Sequence, residues 1–267
     1  MRIRRHIGIA LLALIALAIT MTIVHTIVIS PKSYRIHHVE VTNKAIPQQF
    51  QNFKIAYLSD IHLRSQKDIT RLEEIVKDLN QQNYEMVLFG GDLYEGKVFE
   101  DKKVTQILNS IHSSYGKFAV LGEEDNSNSS QVVQILTEAG FETLNNEART
   151  IYYNEAKIRL IGYNTEASAA LEKSDLYTIS FSHYPDQFAF ISDTSQYHLA
   201  GHSGGGFIYL PLLGATTKLN HAKTYNHGSY TKNNSTLYVS NGLSIMADHS
   251  YKFLAKNEIV ILTLNKS

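Results

Sequence analysis

The hydrophobic rhythm of the chain changes twice. From Ile7 to Ile29 there is no charged residue, a run about as long as the ~20 residues an α-helix needs to cross the hydrocarbon core of a bilayer. Thr20, Thr22, His25 and Thr26 are its clearly polar positions, and a Thr hydroxyl can bond back to a helix carbonyl. Residues 31–52 are polar, with Pro31 and Pro47, and Ile36, Val39 and Val41 suggest an edge strand. Phe53–Leu58 is a short apolar strand, and Leu72, Ile75, Val76 and Leu79 then recur at helical spacing. Thr70-x-x-Glu73 reads as the capping box that opens this helix. The pattern repeats: strand 84–89, helical Val104, Ile107, Leu108 and Ile111, strand 117–121, helical Val132, Val133, Ile135, Leu136 and Ala139 ended by Gly140. Strand then helix, three times, predicts βαβ units and a largely parallel sheet. From about residue 150 short strands dominate, at 150–153, 157–162, 177–182, 197–200, 236–240 and 258–264, and predict a second sheet.

Three Arg residues, Arg2, Arg4 and Arg5, precede the apolar run. A basic cluster before a span predicts a cytoplasmic N-terminus, and so a single-pass protein of the cell membrane with its C-terminal domain outside the cytoplasm. In a cleaved signal peptide the apolar segment runs only ~7–15 residues before a small-x-small site. Here Ala16-Leu-Ala18 is followed by eleven more mostly apolar residues, which fits an uncleaved anchor better. The expected organisation is a membrane anchor over 1–30, a connector over 31–50 and one α/β domain over 51–267.

Composition narrows the chemistry. The 25 Lys+Arg balance 25 Asp+Glu, which argues against a partner bound through a strongly basic face, so no nucleic acid is expected. The absence of Cys removes disulfide frameworks, zinc ribbons and thiol nucleophiles together. Twelve His remain, leaving imidazole and carboxylate as the available metal ligands.

Those residues gather where the strands end. Asp60-Ile-His62 follows the first strand, Gly91-Asp92 the second, and Gly122-Glu-Glu-Asp125 the third. Ser182-His183-Tyr-Pro185 and Ala200-Gly-His202-Ser203 follow two later strands. Ligands in open α/β sheets bind beyond the carboxyl ends of the strands, and alternate positions of an extended segment point the same way. Taken singly, each pair is common as a turn or a surface group. Delivery of Asp, His, Asp, Glu, His and His by successive strand ends is far more specific.

The set Leu58-Ser-Asp-Ile-His-Leu63, Gly90-Gly-Asp92, Ala119-Val-Leu-Gly122, Ser182-His-Tyr-Pro-Asp186 and Ala200-Gly-His202 resembles the calcineurin-like metallophosphoesterase family, in its membrane-anchored or secreted bacterial branch. The resemblance covers about residues 50–265. It implies an α/β fold of two mixed sheets packed as a sandwich flanked by helices, here with one N-terminal transmembrane helix. It implies one or two divalent ions (manganese, iron or zinc). Asp60 and His62 would hold the first, Asp92 would bridge, and His183 and His202 would hold the second.

Three positions depart from the family pattern. Glu123 replaces an Asn ligand of the second metal. Glu124 replaces the His that assists the leaving group, so its catalytic role is doubtful. Gly204 replaces the last His ligand of the first metal. Usual sites of the family carry two carboxylates near the ions, whereas Asp60, Asp92, Glu123 and Glu124 here make four. Extra anionic charge weakens acidification of bound water and repels a phosphate ester. His221, His227 and His249 are candidates to refill the first site, though surface-loop roles compete. Two functions stay open: a membrane-tethered hydrolase of low or narrow activity acting on a phosphoester, lipid- or envelope-linked, or a catalytically silent relative serving as an envelope binding or scaffold protein.

Overall fold

The computed structural model describes residues 2–267, with side chains from His6 onward. The Arg2, Arg4 and Arg5 side chains behind the topology argument lie outside that description. The chain opens with helix α1 (Arg2–Val24), which continues as one π-helical turn, His25–Ile29. The stretch His6–Ile29 is long and apolar enough to cross a membrane, and none of its most apolar window is buried. Thr20, Thr22 and Thr26 each donate a hydroxyl to the carbonyl four residues back, at 2.8–2.9 Å.

Two six-stranded sheets follow. The first contains β1 (Tyr34–Thr42), β2 (Phe53–Leu58), β3 (Met86–Phe89), β4 (Lys117–Ala119), β5 (Phe141–Thr143) and the late strand β14 (Asn257–Asn265), in the order β1-β14-β2-β3-β4-β5. All its pairings are parallel except β14 with β2. The second sheet runs β12 (Gly228–Lys232), β13 (Ser235–Val239), β9 (Tyr197–Ala200), β8 (Thr178–Ser182), β7 (Ala156–Tyr163), β6 (Glu147–Tyr153). A small hairpin joins β10 (Tyr209–Leu210) to β11 (Gly214–Ala215).

Strand alternation explains the layers. Ile55, Tyr57, Met86 and Leu88 face the second sheet and meet Leu160, Ile179, Phe181 and Leu199 in one buried core. Their neighbours Ala56, Leu58, Val87 and Phe89 face the other way. There they meet the apolar stripes of α2 (Gln66–Leu79), α3 (Asp101–Asn109) and α4 (Ser129–Glu138). The short helix α5 (Phe188–Ile191) covers part of the far face of the second sheet, through Phe188 on Leu237 and Val239. Each Leu or Ile so enclosed contributes about 1.5–3 kcal/mol. This is the expected sandwich flanked by helices.

Two expectations change. The 258–264 strand belongs to the first sheet, not the second, because β14 slots between β1 and β2. Helix α2 begins five residues before the supposed capping box, after Ser65. Asp68 accepts from the Ser65 hydroxyl (2.8 Å) and the Arg64 N–H (3.1 Å), while the Thr70 hydroxyl donates within the helix to the Gln66 carbonyl. The apolar stripe starts at the buried Ile69, ahead of Thr70, and therefore requires the earlier start. Segment 31–50, expected as a connector, carries edge strand β1, in line with its Val39 and Val41.

Candidate metal centre

Every expected ligand lies within five positions of a strand's carboxyl end: Asp60 and His62 after β2, Asp92 after β3, Glu123 and Glu124 after β4, His183 after β8, and His202 after β9. Register makes them converge, since Leu58 pairs with Phe89 and Phe89 with Ala119, while Ser182 pairs with Ala200. The chain must also turn sharply at each end. Asp60, His62, Asp92 and His202 all adopt positive φ, from 49° to 66°, a conformation that costs a non-glycine residue about 1–3 kcal/mol. Glycines make room beside them. A Cβ on Gly201 would lie 2.5 Å from Asp60 Oδ2, and one on Gly122 would run into the Asp92 carboxylate.

The acid and imidazole groups fall into two clusters that share His183. Glu123, His183 and His202 form one, and Asp60, Asp92 and His183 the other, with the ligand atoms of each within 4.8 Å of one another. Ligands bound to a common ion at ~2.0–2.6 Å are spaced in this way. Glu123 approaches His183 Nε2 at 2.6 Å and His202 Nδ1 at 2.7 Å, while Asp92 Oδ2 is 3.2 Å from His183 Nε2. His62 Nε2 stands beside the second cluster, 3.7 Å from Asp92 Oδ2 and 4.0 Å from Asp60 Oδ1.

These atoms fit metal ions better than they fit one another. Asp60 Oδ2, Asp92 Oδ2, Glu123 Oε2, His183 Nε2 and His202 Nδ1 are all buried and find no hydrogen-bond partner outside the acid–imidazole cluster itself. Charged groups buried this deeply are costly unless paired, and a cation in each cluster would satisfy these atoms together. Their other atoms are held. His183 Nδ1 donates to the Gly90 carbonyl (2.7 Å) and His202 Nε2 to the Asn220 carbonyl (2.6 Å). This fixes which nitrogen of each ring is free to bind a metal. Asp60 Oδ1 accepts the His202 N–H at 2.9 Å, and Asp92 Oδ1 accepts the Glu124 N–H at 3.0 Å.

The electrostatics agree. Burial alone would lower the His183 imidazole, but Asp92 and Glu123 outweigh it and hold it well above its usual range. Burial would raise Glu123, but His183 and His202 pull it far below the ordinary carboxylate range. Burial would also lower His62, yet Glu95, Asp92 and Asp60 keep it raised. Glu124 is raised, by burial first and then by Asp92 and Glu95. The carboxylates that hold His62 and His183 raised would favour a cation among them in the same way.

Residues 53–256 match the calcineurin-like phosphoesterase family. The chain belongs to that family. Among relatives of this phosphoesterase, it is 27% identical over 250 residues to the uncharacterized metallophosphoesterase YkuE of Bacillus subtilis, covering 86% of this chain and 87% of that one. It is 30% identical over 230 residues to an uncharacterized metallophosphoesterase of Helicobacter pylori strain J99, covering 80% of this chain and 60% of that longer one. Among solved structures it is similar to GAP50, the anchor in the inner membrane complex of Plasmodium, at 10% identity and a TM-score of 0.48, over 79% of this chain and 80% of that one.

Two residues of the candidate site escaped sequence reasoning. Asp125 is fully buried, and its carboxylate accepts the N–H groups of Asp92 (2.8 Å), Leu93 (3.0 Å) and Gly122 (3.0 Å), tying the second and third ligand loops together. Burial and the Asp92 charge push it up to about 7. Its one signal was its place at the end of Gly122-Glu-Glu-Asp125. Glu95 lies 3.3 Å from His62 Nδ1 and accepts the Ala247 N–H at 2.8 Å. It orients His62 from behind, and only its position three residues past Asp92 hinted at it.

The three spare histidines lie elsewhere. His221 stacks on Tyr184, His227 on Tyr209 and His249 on Phe207, with ring centroids 4.0–4.2 Å apart. Among the described residues, none of them joins either ligand cluster. Gly204 is buried at φ +56°, and a Cβ there would lie 2.7 Å from the Phe207 ring. Phe207 thus fills the space into which a side chain at 204 would grow.

Proposed function

We propose that this phosphoesterase is a metal-dependent hydrolase anchored by its N-terminal helix, with residues 31–267 outside the cytoplasm, and that it cleaves a phosphoester presented at the membrane surface. The observation that carries this reading is the convergence, at successive strand ends, of five buried ligand atoms with no partner outside their own cluster. Divalent ions bound there (manganese, iron or zinc) would polarise phosphoryl oxygens and acidify the attacking water. Asp60, His62 and Asp92 would hold one ion, and Asp92, Glu123, His183 and His202 the other. Asp92 is central because its carboxylate faces both His62 and His183.

Glu123 and Glu124 make this centre more anionic than the family pattern. Glu123 adds a full charge beside His183 and His202, so the second site binds its ion more tightly than the first. The same charge disfavours an incoming phosphate, so activity is slow or confined to a narrow substrate class. Glu124 holds its backbone N–H on Asp92, and its half-buried carboxyl stands where the family pattern has the His that assists the leaving group.

The test is the metal content of the purified protein together with turnover of a generic phosphodiester in added manganese. One or two ions per chain with slow turnover are expected. Turnover at ordinary enzyme rates of ~1–10³ per second would refute the impaired centre, and absence of both metal and turnover would establish the silent binding protein instead. Protease added to the outside of intact cells should digest the domain, and full protection would overturn the topology.

A further inference from the structure

Beyond the apolar helix and its π turn, four large hydrophobic side chains are exposed among the described residues: Tyr152, Leu212, Leu213 and Leu254. Scattered singly, such residues mean little; clustered, they mark a contact surface. Three of the four belong to one unit. Leu212 and Leu213 form the tip of the β10–β11 hairpin, at 105% and 82% exposure. Leu254 lies where residues 253–254 pair with Ile208 at the hairpin's base.

That unit abuts the membrane helix. Pro31 has no N–H, and the Ser30 N–H already bonds the His25 carbonyl. The Thr26 carbonyl is therefore left without an intrahelical donor, and it accepts the Lys252 N–H at 3.1 Å. On the other side of the exit, Asn257 Nδ2 donates to the Pro31 carbonyl at 2.8 Å. A groove between helix and domain is lined by Thr22, Ile23, Thr26, Ile27, Ile208 and Phe253.

Depth follows from helix geometry. Thr22 lies seven residues before Ile29, or roughly 10 Å along the axis at ~1.5 Å per residue. The 24-residue stretch His6–Ile29 is about 36 Å long, against a hydrocarbon core of ~30 Å. When the helix spans, Thr22 and Ile23 lie several ångström inside the apolar layer, and so must the domain residues beside them. The backbone there is suited to lipid, where polar groups need internal partners. Tyr209 N bonds the Phe253 carbonyl, Phe253 N the Phe207 carbonyl, and Thr216 N the Ile208 carbonyl, at 2.8–2.9 Å. The flanks suit an anionic headgroup layer: no Asp or Glu occurs between Asp193 and Asp248, and Lys218 and Lys223 are exposed.

We propose that the 208–215 hairpin, with Leu254, is a second membrane contact, seated in the interfacial layer of the bilayer that the helix spans. The loop that carries it leaves from His202 through Gly204–Gly206 and returns at Asn220, whose carbonyl holds the His202 ring. Seating the hairpin therefore holds the ligand cleft, which the same loop borders, close to the lipid surface. A phosphoester substrate would then be drawn from headgroups of the bilayer rather than from free solution. The contact itself rests on the helix as a span and not on hydrolysis.

The chain has no Trp, so single-Trp variants report position. Full-length Leu17→Trp, Leu212→Trp and Tyr152→Trp proteins are reconstituted in vesicles of phosphatidylcholine and phosphatidylglycerol whose acyl chains carry bromine at shallow or deep positions. Leu17→Trp should be quenched by deep bromine. Leu212→Trp should be blue-shifted and quenched most by shallow bromine, and Tyr152→Trp should show neither effect. The proposal is overturned if Leu212→Trp behaves like Tyr152→Trp while Leu17→Trp is quenched. It is equally overturned if the Leu212→Trp blue shift appears without quenching and grows with protein density, because a second copy then covers the tip. An unquenched Leu17→Trp would remove the span and the proposal with it. No outcome depends on turnover, so failure here leaves the phosphoesterase reading standing.

Discussion

Two histidines at the second sheet, His183 just past β8 and His198 on β9, are both fully buried, yet their rings are satisfied in opposite ways. His198 on β9 has both ring nitrogens bonded, Nδ1 to the Ser180 hydroxyl at 2.6 Å and Nε2 to the Ser182 hydroxyl at 2.9 Å. No carboxylate pairs with it, and burial pushes it down to about 3, so it stays neutral. His183, one residue past β8, has Nδ1 bonded to the Gly90 carbonyl and Nε2 facing only Asp92 and Glu123. Burial of a histidine thus says little about its role. Whether its second nitrogen is satisfied, and which charges face it, separates a structural ring from a candidate ligand.

The strongest challenge to this contrast is Asp92→Asn set against Ser182→Ala. Asp92→Asn removes the charge between His183 and His62. Turnover should fall by roughly 10²-fold or more, because loss of even an outer-shell partner commonly costs 10–100-fold. Metal content should fall with it, while Ser182→Ala keeps its metal. Equal metal content in the two variants would break the comparison.

Glu95→Gln sharpens it within the centre itself. Weakening the carboxylate behind His62 should lower affinity on the Asp60–His62–Asp92 side by about 10–100-fold. The Glu123 side should be unchanged, so a metal titration should separate into two steps. A uniform loss at both steps would assign Glu95 to the fold instead.

A third test is on acid stability. His198 has a folded pKa far below the unfolded 6.5, so the unfolded chain binds the extra proton. Its contribution therefore destabilises the fold as pH drops from about 6.5 toward about 3, by about 1.4 kcal/mol per pH unit. His183 acts in the other sense in metal-free protein, contributing stability below 6.5 that is lost as pH rises through its raised value. Urea melts of His198→Gln between pH 4 and 6 should show a shallower slope than wild type, with lower stability at neutral pH.

Much of this was legible beforehand. Period-3.6 stripes and short apolar runs located α2 to α4 and the strands that carry the candidate ligands. Placement of Asp60, His62, Asp92, Glu123, His183 and His202 at strand ends followed from that rhythm. What stayed hidden depends on contacts between distant segments. Nothing in the composition of 257–265 tells which sheet it joins, because β14 is buried on both faces. Asp125 looks like one more polar residue after two glutamates until its three N–H partners are seen. Glu95 faces His62 across 33 positions of sequence. The role considered for His249 could not allow for Phe207, which stacks on it and fills the space beside Gly204.

The placement of β14 also sets the order in which the molecule can be assembled. It fills the gap between β1 and β2, and Arg35 of β1 pairs with Glu258 of β14 from 223 residues away. At ~5–20 residues per second, synthesis needs roughly 10–45 s to supply the later strand after the earlier one. Until then β1 has no sheet partner, and β2 presents an open edge that invites wrong pairing. Closure over so long a loop is intrinsically slow. The nascent chain therefore depends on whatever shields that edge, and a chain that stopped before residue 257 would leave the first sheet split rather than merely shortened.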